Sequence, residues 1–490
     1  MKPKICLCLT EKTLAANLRL VERYRRDIDL VELRVDCLSD DECYYVRNFP
    51  QRAQIPAILT IRRKIDGGEW SHGEAARTTL FARALAFSET SPAKNFAYVD
   101  FEEDVDIPCL QDAAMSFGTR IIRSTHVFND EKMNIRKRIA NLKRTGLEIP
   151  KVAILPHDLN ATLEIYNDAR KLDKGDYIIS PMGVYGQPLR VLSSKINSYL
   201  IYTSTKTGGM ANSNIAQIDI DTILNILKPD RINDETQLFA ITGNPLTHTR
   251  SPAFHNNEFL KHGINSFYFS LPAKNIEESL NFANHLGIKG MSITAPFKET
   301  VVPHLKVKSQ FVNAMNSCNT IIKRNDKWYG YNTDLPGILT ALTKFLNRKS
   351  LFGMKVAIIG AGGVAKSFAE AVKILRGNAC IFNRHIGKAR DIAVKHGFKA
   401  AALNDYDTSL LKKYNHLIIQ ATTLGMRGVT DADPIPFYEF SGNEAVFDAI
   451  YEPEETPLLR RARLAGCKTQ NGLSLFHYQA EEQFNLFRNI

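Results

Sequence analysis

The chain has 490 residues, of which 44% are hydrophobic and 23% charged, with a formal net charge of +11. These are ordinary globular values, and at about 150 residues per domain the length implies two to four domains. The positive charge forms no Lys/Arg tail and no alternation with aromatics. That speaks against nucleic acid as a partner and for sites that hold anions such as carboxylates and phosphates.

The N-terminus, MKPKICLCLTEKT, has too short an apolar run for a signal peptide. No segment of about 20 apolar residues follows that could span a membrane. The expectation is a cytoplasmic protein acting on small molecules. Cys6 and Cys8 alternate with leucines in a strand, which reads as buried thiols. The eight cysteines form no CxxC pair, and no HExxH or clustered His/Cys spacing calls for a metal.

Eight strand-like runs occupy the first 205 residues. They are KICLCLT (4–10), LVELRVD (30–36), PAILTIRR (56–63), FAYVDFEE (96–103), RIIRSTHV (120–127), KVAILPHD (151–158), DYIISPMG (176–183) and YLIYTST (199–205). Most segments between them can hold a helix. That count in about 200 residues predicts a (β/α)8 barrel rather than an open doubly wound sheet. Glu32, Arg34, Arg62, His126 and Lys151 interrupt the runs, and ionisable groups inside a barrel are costly unless they form a site. Alternation puts Lys151, Ala153 and Leu155 on one face, where the small Ala153 leaves room for the lysine chain. Nearby cations and poor solvation lower a lysine's pKa, and a neutral amine attacks ketones. Lys151 is therefore a candidate Schiff-base nucleophile rather than a lysine snorkelling at a strand end.

In this order, VELRVD, LTIRRKIDGG, STHVF, PKVAILP, SPMGVYGQPLR and ANSNIAQ make residues 1–222 resemble the type I 3-dehydroquinate dehydratase family. The resemblance implies an imine between Lys151 and the substrate ketone. It implies that His126 removes the adjacent proton and then protonates the departing hydroxyl. Arg190 would hold the carboxylate, with Arg34, Arg62, Glu32, Ser213 and Gln217 on the ring substituents. Asp66 falls where the family places a Glu that orients the histidine, and is one methylene shorter.

ILKPDRINDETQ (226–237) is polar, contains Pro and reads as a linker, after which QLFAIT opens a new β-rich segment. MKVAIIGAGGVAKSFAEAV (354–372) is strand, glycine turn, helix. Its G-x-G-x-x-A spacing (Gly360, Gly362 and Ala365, with Gly363 beside them) suits a pyrophosphate at a helix N-terminus. After the next strand an NAD enzyme would place an acid. Here stand Asn383 and Arg384, with Lys388 and Arg390 following, which suits the 2′-phosphate of NADP(H).

GNPLTHTRSP, GMSITAPFK, NSCNTI and GYNTDLPG precede that turn; QATTLGM, DAIYEPEETPLL and NGLSLFHYQAEEQF follow it. Together they make residues 238–490 resemble the shikimate dehydrogenase family. The resemblance implies a catalytic pair, Lys298 and Asp334. It implies Thr249 and Ser251 on the substrate carboxylate, Asn319, Thr294 and Gln479 on ring hydroxyls, and Tyr451 near the substrate. Gly472 and Thr422 would lie beside the nicotinamide cofactor. Thr249 and Ser292 replace the commoner Ser and Asn.

The expected fold is α/β: an N-terminal (β/α)8 barrel followed by a two-domain dehydrogenase with a Rossmann-type part. The boundaries are 1–225 for the dehydratase, 226–237 for the linker, 238–340 for substrate binding and 341–470 for NADP binding. Residues 471–490 form a C-terminal helix returning to the substrate domain. Consecutive reactions follow, 3-dehydroquinate to 3-dehydroshikimate to shikimate. Two other readings attach to the same motifs. One is an NAD-using quinate/shikimate dehydrogenase, against which Arg384 speaks. The other is a non-enzymatic quinate-pathway regulator, which need not keep Lys151, His126, Lys298 and Asp334 together.

Overall fold

The computed structural model describes residues 2–86, 94–129, 134–173, 175–206, 217–246, 249–404 and 408–490. The chain divides into two compact units, Met1–Lys289 and Gly290–Ile490.

All eight predicted runs of the first half form strands: β1 (Lys4–Leu9), β2 (Leu30–Arg34), β3 (Ala57–Thr60), β4 (Tyr98–Glu102), β5 (Arg120–Val127), β6 (Ile149–Ile154), β7 (Ile178–Pro181) and β8 (Leu200–Ser204). Their order is β7-β6-β5-β4-β3-β2-β1-β8, extended by β9 (Ile218–Asp219) alongside β8. The pairing is parallel throughout, and the sheet curls into a barrel. At the β7–β8 seam Tyr199 N donates to Tyr177 O at 2.7 Å. These runs are apolar on both sides because a barrel strand packs inward and outward at once.

The inward face has a layered order. Leu30, Ile58, Tyr98, Ile122, Ile149 and Ile178 share one apolar cluster at the strand beginnings. Two residues further along each strand, on the same face, stand Glu32, Thr60, Asp100, Ser124, Lys151 and Ser180. Polar groups thus begin one layer above an apolar floor. Strand β6 starts at Ile149, so Lys151 lies inside the strand rather than at its head.

Residues 226–237, which read as a linker, are ordered. A π-helical turn, Ile223–Leu227, is followed by a 3-10 turn, Pro229–Arg231. Leu227 and Ile232 are buried, and Lys195 Nζ donates to Asn233 O at 2.6 Å. Strand β10 (Gln237–Gly243) then pairs in parallel with β11 (Ser266–Pro272), with the helix Ser251–Lys261 between them.

In the second unit β12 (Gly290–Ile293), β14 (Thr320–Arg324) and β15 (Lys327–Tyr331) pair antiparallel, and β13 (Val307–Lys308) lies parallel to β15. Next comes a six-stranded parallel sheet of β16 (Lys355–Ile359), β17 (Asn378–Asn383), β18 (Lys399–Ala402), β19 (Leu417–Gln420), β20 (Ala445–Asp448) and β21 (Lys468–Gln470), in the order β18-β17-β16-β19-β20-β21. That is the doubly wound order, with its switch point between β16 and β19. Val356 and Ile358 face one apolar cluster, Ala357 and Ile359 the other. The C-terminal helix Leu473–Phe487 packs on the helix Asp334–Leu346, closely enough that a Cβ at Gly337 would lie 3.0 Å from Gln479 N.

Asp448 ends β20 fully buried. It accepts hydrogen bonds from Ile450 N at 2.9 Å and Thr456 Oγ1 at 2.7 Å. Burial outweighs both donors and pushes its carboxyl up from 3.8 to about 7. The folded chain therefore holds this proton more tightly than the unfolded chain. The stabilisation is complete below the ordinary carboxylate range and is lost as pH rises through about 7. Asp448→Asn should flatten this decline between about pH 4 and pH 7. Urea midpoints of wild type and variant across that range provide the check, and parallel curves would contradict the assignment.

Candidate active sites

The barrel's polar layer is organised around Asp100. Lys151 Nζ donates to Asp100 Oδ2 at 2.8 Å and lies 3.7 Å from Glu32 Oε1. It stands 4.4 Å above the ring centroid of Tyr202. Arg62 reaches the same Asp100 oxygen at 2.8 Å and Glu102 Oε1 at 2.6 Å. Glu32 also accepts from Thr60 Oγ1 at 3.0 Å and from the Cys8 thiol at 3.1 Å. Gln217 Nε2 donates to Cys8 Sγ at 3.4 Å. Arg34 is paired with Asp36 at 2.7 Å.

Glu32, Arg34, Arg62, Asp66, His126, Lys151, Arg190 and Gln217, eight of the nine residues expected in this site, line one cavity with Tyr202. Ser213, the ninth, lies outside the described residues. Arg190 comes from the helix Gly183–Val191, and its Nε donates to Pro181 O. Burial lowers its pKa to about 10.

The charges act on one another. Burial works to raise the pKa of Asp100, but Arg62 and Lys151 overcome it and hold the carboxyl far below its ordinary range. Burial, then Arg62 and Lys151, hold His126 well below its ordinary value. Its imidazole is neutral near pH 7, the form a general base requires.

Asp66 does not hydrogen-bond His126. Its Oδ1 lies 3.9 Å from Nδ1, and that buried nitrogen has no hydrogen-bond partner among the described residues. Arg63 draws the carboxylate away, with Nε 2.7 Å from Asp66 Oδ2, while its other nitrogens hold Asp104 at 2.8 Å. Sequence reading missed Asp100, Glu102 and Tyr202. The first two alternate with apolar residues in YVDFE as Glu32 and Arg34 do in LVELR, and that alternation was the available signal.

In the second unit Lys298 Nζ donates to Asp334 Oδ2 at 2.6 Å, the two side chains being 29% and 20% exposed. Asp334 opens its helix. Asn319 Nδ2 donates to Asp334 Oδ1 at 2.8 Å and to Thr333 Oγ1 at 2.9 Å, and Asn319 Oδ1 accepts from Thr333 N at 2.8 Å. Cys318 N donates to Lys298 O at 2.8 Å. One asparagine thus fixes the Asp, and one backbone bond fixes the Lys.

Thr294 O accepts from Phe297 N at 2.9 Å and so closes the turn that leads to Lys298. Tyr451 lies against Phe476 at 5.6 Å, and Gln479 Nε2 donates to Phe476 O at 3.1 Å. A Cβ on Gly472 would fall 2.1 Å from Ala449 O, so only glycine fits there. Gln483, also missed in the sequence, binds Ser292 Oγ at 2.8 Å and Thr320 Oγ1 at 3.0 Å. In the first unit Ser251 opens the helix Ser251–Lys261, and its N donates to Thr249 Oγ1 at 3.2 Å.

The glycine turn after β16 sits at the switch point of its sheet. Gly360 has φ +111°, and a Cβ there would lie 2.9 Å from both Ala421 O and Thr422 Cγ2. At Gly362 and Gly363, where the helix Gly363–Ile374 begins, a Cβ would meet nothing within 4 Å. Ala365 is buried beneath them. Thr422 N is anchored by Gln420 Oε1 at 3.0 Å. Asn383 ends β17, its Nδ2 donating to His385 O at 3.0 Å, and Arg384, Lys388 and Arg390 are exposed beyond it. Open backbone at a helix start, flanked by cations, fits a dinucleotide with an extra phosphate.

A curled parallel sheet enclosing a buried lysine, followed by a dinucleotide-binding fold with a Lys–Asp pair, defines a two-enzyme chain of lyase and oxidoreductase type. A family model described as type I 3-dehydroquinase matches residues 5–234, and one described as shikimate dehydrogenase substrate binding domain matches residues 241–321. The bifunctional 3-dehydroquinate dehydratase/shikimate dehydrogenase, chloroplastic, of Arabidopsis thaliana is 27% identical over 483 residues, 94% of this chain and 78% of that protein. The shikimate dehydrogenase (NADP(+)) of Thermococcus kodakarensis is 34% identical over 256 residues, 52% of this chain and 91% of that protein. The solved dehydroquinate dehydratase and shikimate dehydrogenase from S. pombe AroM is 20% identical and covers 100% of this chain and 96% of that chain, with a TM-score of 0.43. The chain belongs to the type I 3-dehydroquinase family over its first part and to the shikimate dehydrogenase family over its second. Among the described residues no helix is long and apolar enough to cross a membrane.

The neutral state of His126 is directly measurable. With histidines carbon-13 labelled, the NMR resonance lost in His126→Gln should titrate well below pH 6.5, the ordinary histidine value. Titration at or above that value would refute the electrostatic account of this site.

Proposed function

We propose a division of labour in which Lys151 and His126 carry a dehydration and Lys298 and Asp334 a reduction. The chain is a 3-dehydroquinate dehydratase and an NADP-dependent shikimate dehydrogenase acting in sequence. The observation that carries the first role is Lys151 buried in the barrel, within hydrogen-bond reach of Asp100 and sharing a cavity with His126.

Once deprotonated, the Lys151 amine adds to the ketone carbon of 3-dehydroquinate, and water leaves to give an imine. Neutral His126 takes the proton from the adjacent carbon, and the electron pair moves onto the imine nitrogen, giving an enamine. The electrons then return to expel the hydroxyl, which leaves as water with the proton from His126. Hydrolysis of the imine restores the amine and releases 3-dehydroshikimate. Arg190 suits the substrate carboxylate. Arg34, Arg62, Glu32, Ser213 and Gln217 suit its ring oxygens. In this chain Asp66 contributes field rather than a hydrogen bond to His126, which the 3.9 Å separation supports.

For the second reaction, Thr249 and Ser251 supply hydroxyls for the carboxylate, while Thr294, Asn319, Tyr451 and Gln479 orient the ring. Lys298 delivers a proton to the carbonyl oxygen, and Asp334 holds the ammonium. The turn Gly360–Gly363 with Ala365, Thr422 and Gly472 would hold NADPH, which supplies the hydride when bound. Arg384, beside Asn383, suits its 2′-phosphate.

We assign residues 1–225 to the dehydratase, 226–237 to the joint, 238–340 to substrate binding and 341–470 to the nucleotide, with 471–490 as the closing helix. We place the chain in the cytoplasm. Eight free cysteines support a reducing compartment.

Borohydride added with 3-dehydroquinate should fix a covalent adduct on Lys151, read by peptide mass spectrometry. Lys151→Met should abolish dehydration and leave reduction of 3-dehydroshikimate near normal. An adduct on another lysine overturns the mechanism.

Arg384→Ala should reduce the preference for NADPH over NADH by roughly 10- to 100-fold, the scale of one lost hydrogen bond to a charged group. Initial rates with both cofactors provide the measurement. A wild type that already prefers NADH would favour the alternative of an NAD-using dehydrogenase.

A further inference from the structure

The first unit holds a second cavity, about 280 Å³ in volume, that shares no lining residue with the lysine site. It lies where the chain leaves the barrel, between the π-helical turn Ile223–Leu227 and the loop entering β11. Leu227, Ile232, Phe259 and Phe267 are the buried part of its apolar lining.

Its polar lining divides into groups already committed and groups that are not. Asn256 is committed, accepting from Tyr268 N and donating to Tyr268 O, both at 2.8 Å. Thr236 and Asn265 bond each other at 2.8 Å. By contrast, the buried Ser266 Oγ has no hydrogen-bond partner among the described residues. Lys228 and Arg231 also line the cavity, and neither side chain pairs with a described residue. Among the described residues no Asp or Glu lines it.

Two local conformations present these groups. The π turn is a rare geometry that occurs frequently at functional sites. Lys228 follows it at φ +46°, a left-handed conformation that non-glycine residues seldom adopt. That conformation starts the 3-10 turn bearing Arg231. Buried hydroxyls are normally satisfied, and cations beside an apolar cavity without acids favour a negative ligand.

We propose that this cavity binds a small organic anion, one carboxylate- or phosphate-like group on a compact apolar body. Arg231 and Lys228 hold the charge, Ser266 Oγ donates the hydrogen bond, and Phe259 with Phe267 cover the apolar part. The size is near the lower end of small-molecule pockets.

Phenyl phosphate is a suitable probe, titrated calorimetrically into the full chain with shikimate and NADP+ present to occupy the dehydrogenase. Wild type should bind it and should bind neutral benzyl alcohol at least tenfold more weakly. Arg231→Ala should weaken the anion at least tenfold, the scale of one charge-assisted hydrogen bond. Ser266→Leu, which fills the cavity, should abolish binding. Both variants should keep both catalytic activities, which shows that they fold. Phenyl phosphate should raise the thermal midpoint of wild type and of neither variant, since binding to the native state alone stabilises it. No wild-type binding in the millimolar range would overturn the proposal, as would affinity unchanged in Arg231→Ala.

Discussion

A single carboxylate, Asp100, makes the interior of the barrel possible. It is fully buried, and one of its oxygens meets both Lys151 and Arg62 at 2.8 Å. Taking either cation out of water without a counter-charge costs several kcal/mol, and breaking such a buried pair typically costs about 3–5 kcal/mol. Glu102 and Glu32 supply further negative charge, the first to Arg62 and the second near Lys151. The apolar layer beneath Lys151 and the paired charges around it are consequences of the same alternation along the strands. His126 feels the sum, and burial together with the adjacent cations keeps it uncharged. Asp100 pulls the other way, so His126 stays neutral because burial and the cations Arg62 and Lys151 outweigh the carboxylate that pairs them.

The second unit solves a different problem with different means. Lys298 and Asp334 are partly exposed, so water already screens their charges and the pair adds little stability. Their value is positional. Asn319 grips Asp334 and the backbone before it, and Gln483 from the C-terminal helix holds the Asn319 carbonyl at 3.2 Å. At the glycine turn it is the backbone itself that is laid open. Gly360 permits close approach to Ala421, and the helix behind it opens at Gly362 and Gly363 with no side chain in the way. This edge presents open backbone and exposed cations rather than a buried charge network.

Much of this was legible in the residues. Long apolar runs gave the strands because barrel and doubly wound sheets bury both faces. Lys151 stood out because an ammonium group inside such a run needs a partner. The partner itself was less visible. Asp100 sits among Glu102, Glu103 and Asp104, and nothing in a local acidic cluster tells which member turns inward until strand register is known. The Asp66–His126 separation depends on a loop conformation and on Arg63 competing for the same carboxylate, neither of which spacing encodes. The stretch 226–237 looked like a linker because its polar residues outnumber its apolar ones. Leu227 and Ile232 are nonetheless enough to seat it, since two buried anchors can order a short turn-rich segment. Composition reports the average environment of a segment, whereas packing is decided by its few inward residues.

The two architectures match the chemistry that each encloses. An imine route needs a buried amine and a base that stays neutral, and the second demand is met by low solvation and close cations inside a closed wall of strands. Those conditions suit no large charged cofactor, which would have to shed its own water to enter. Hydride transfer from a dinucleotide requires an open edge where backbone amides can reach phosphate and a proton donor can remain hydrated. The switch point of a doubly wound sheet offers that edge without burying charge. A chain carrying both reactions could not economise by merging the two sites into one environment. The low solvation that keeps His126 neutral would strip nucleotide phosphates of their own water, and the hydration that tolerates phosphates would let an imidazole take up its proton. Two separate cores follow from that incompatibility.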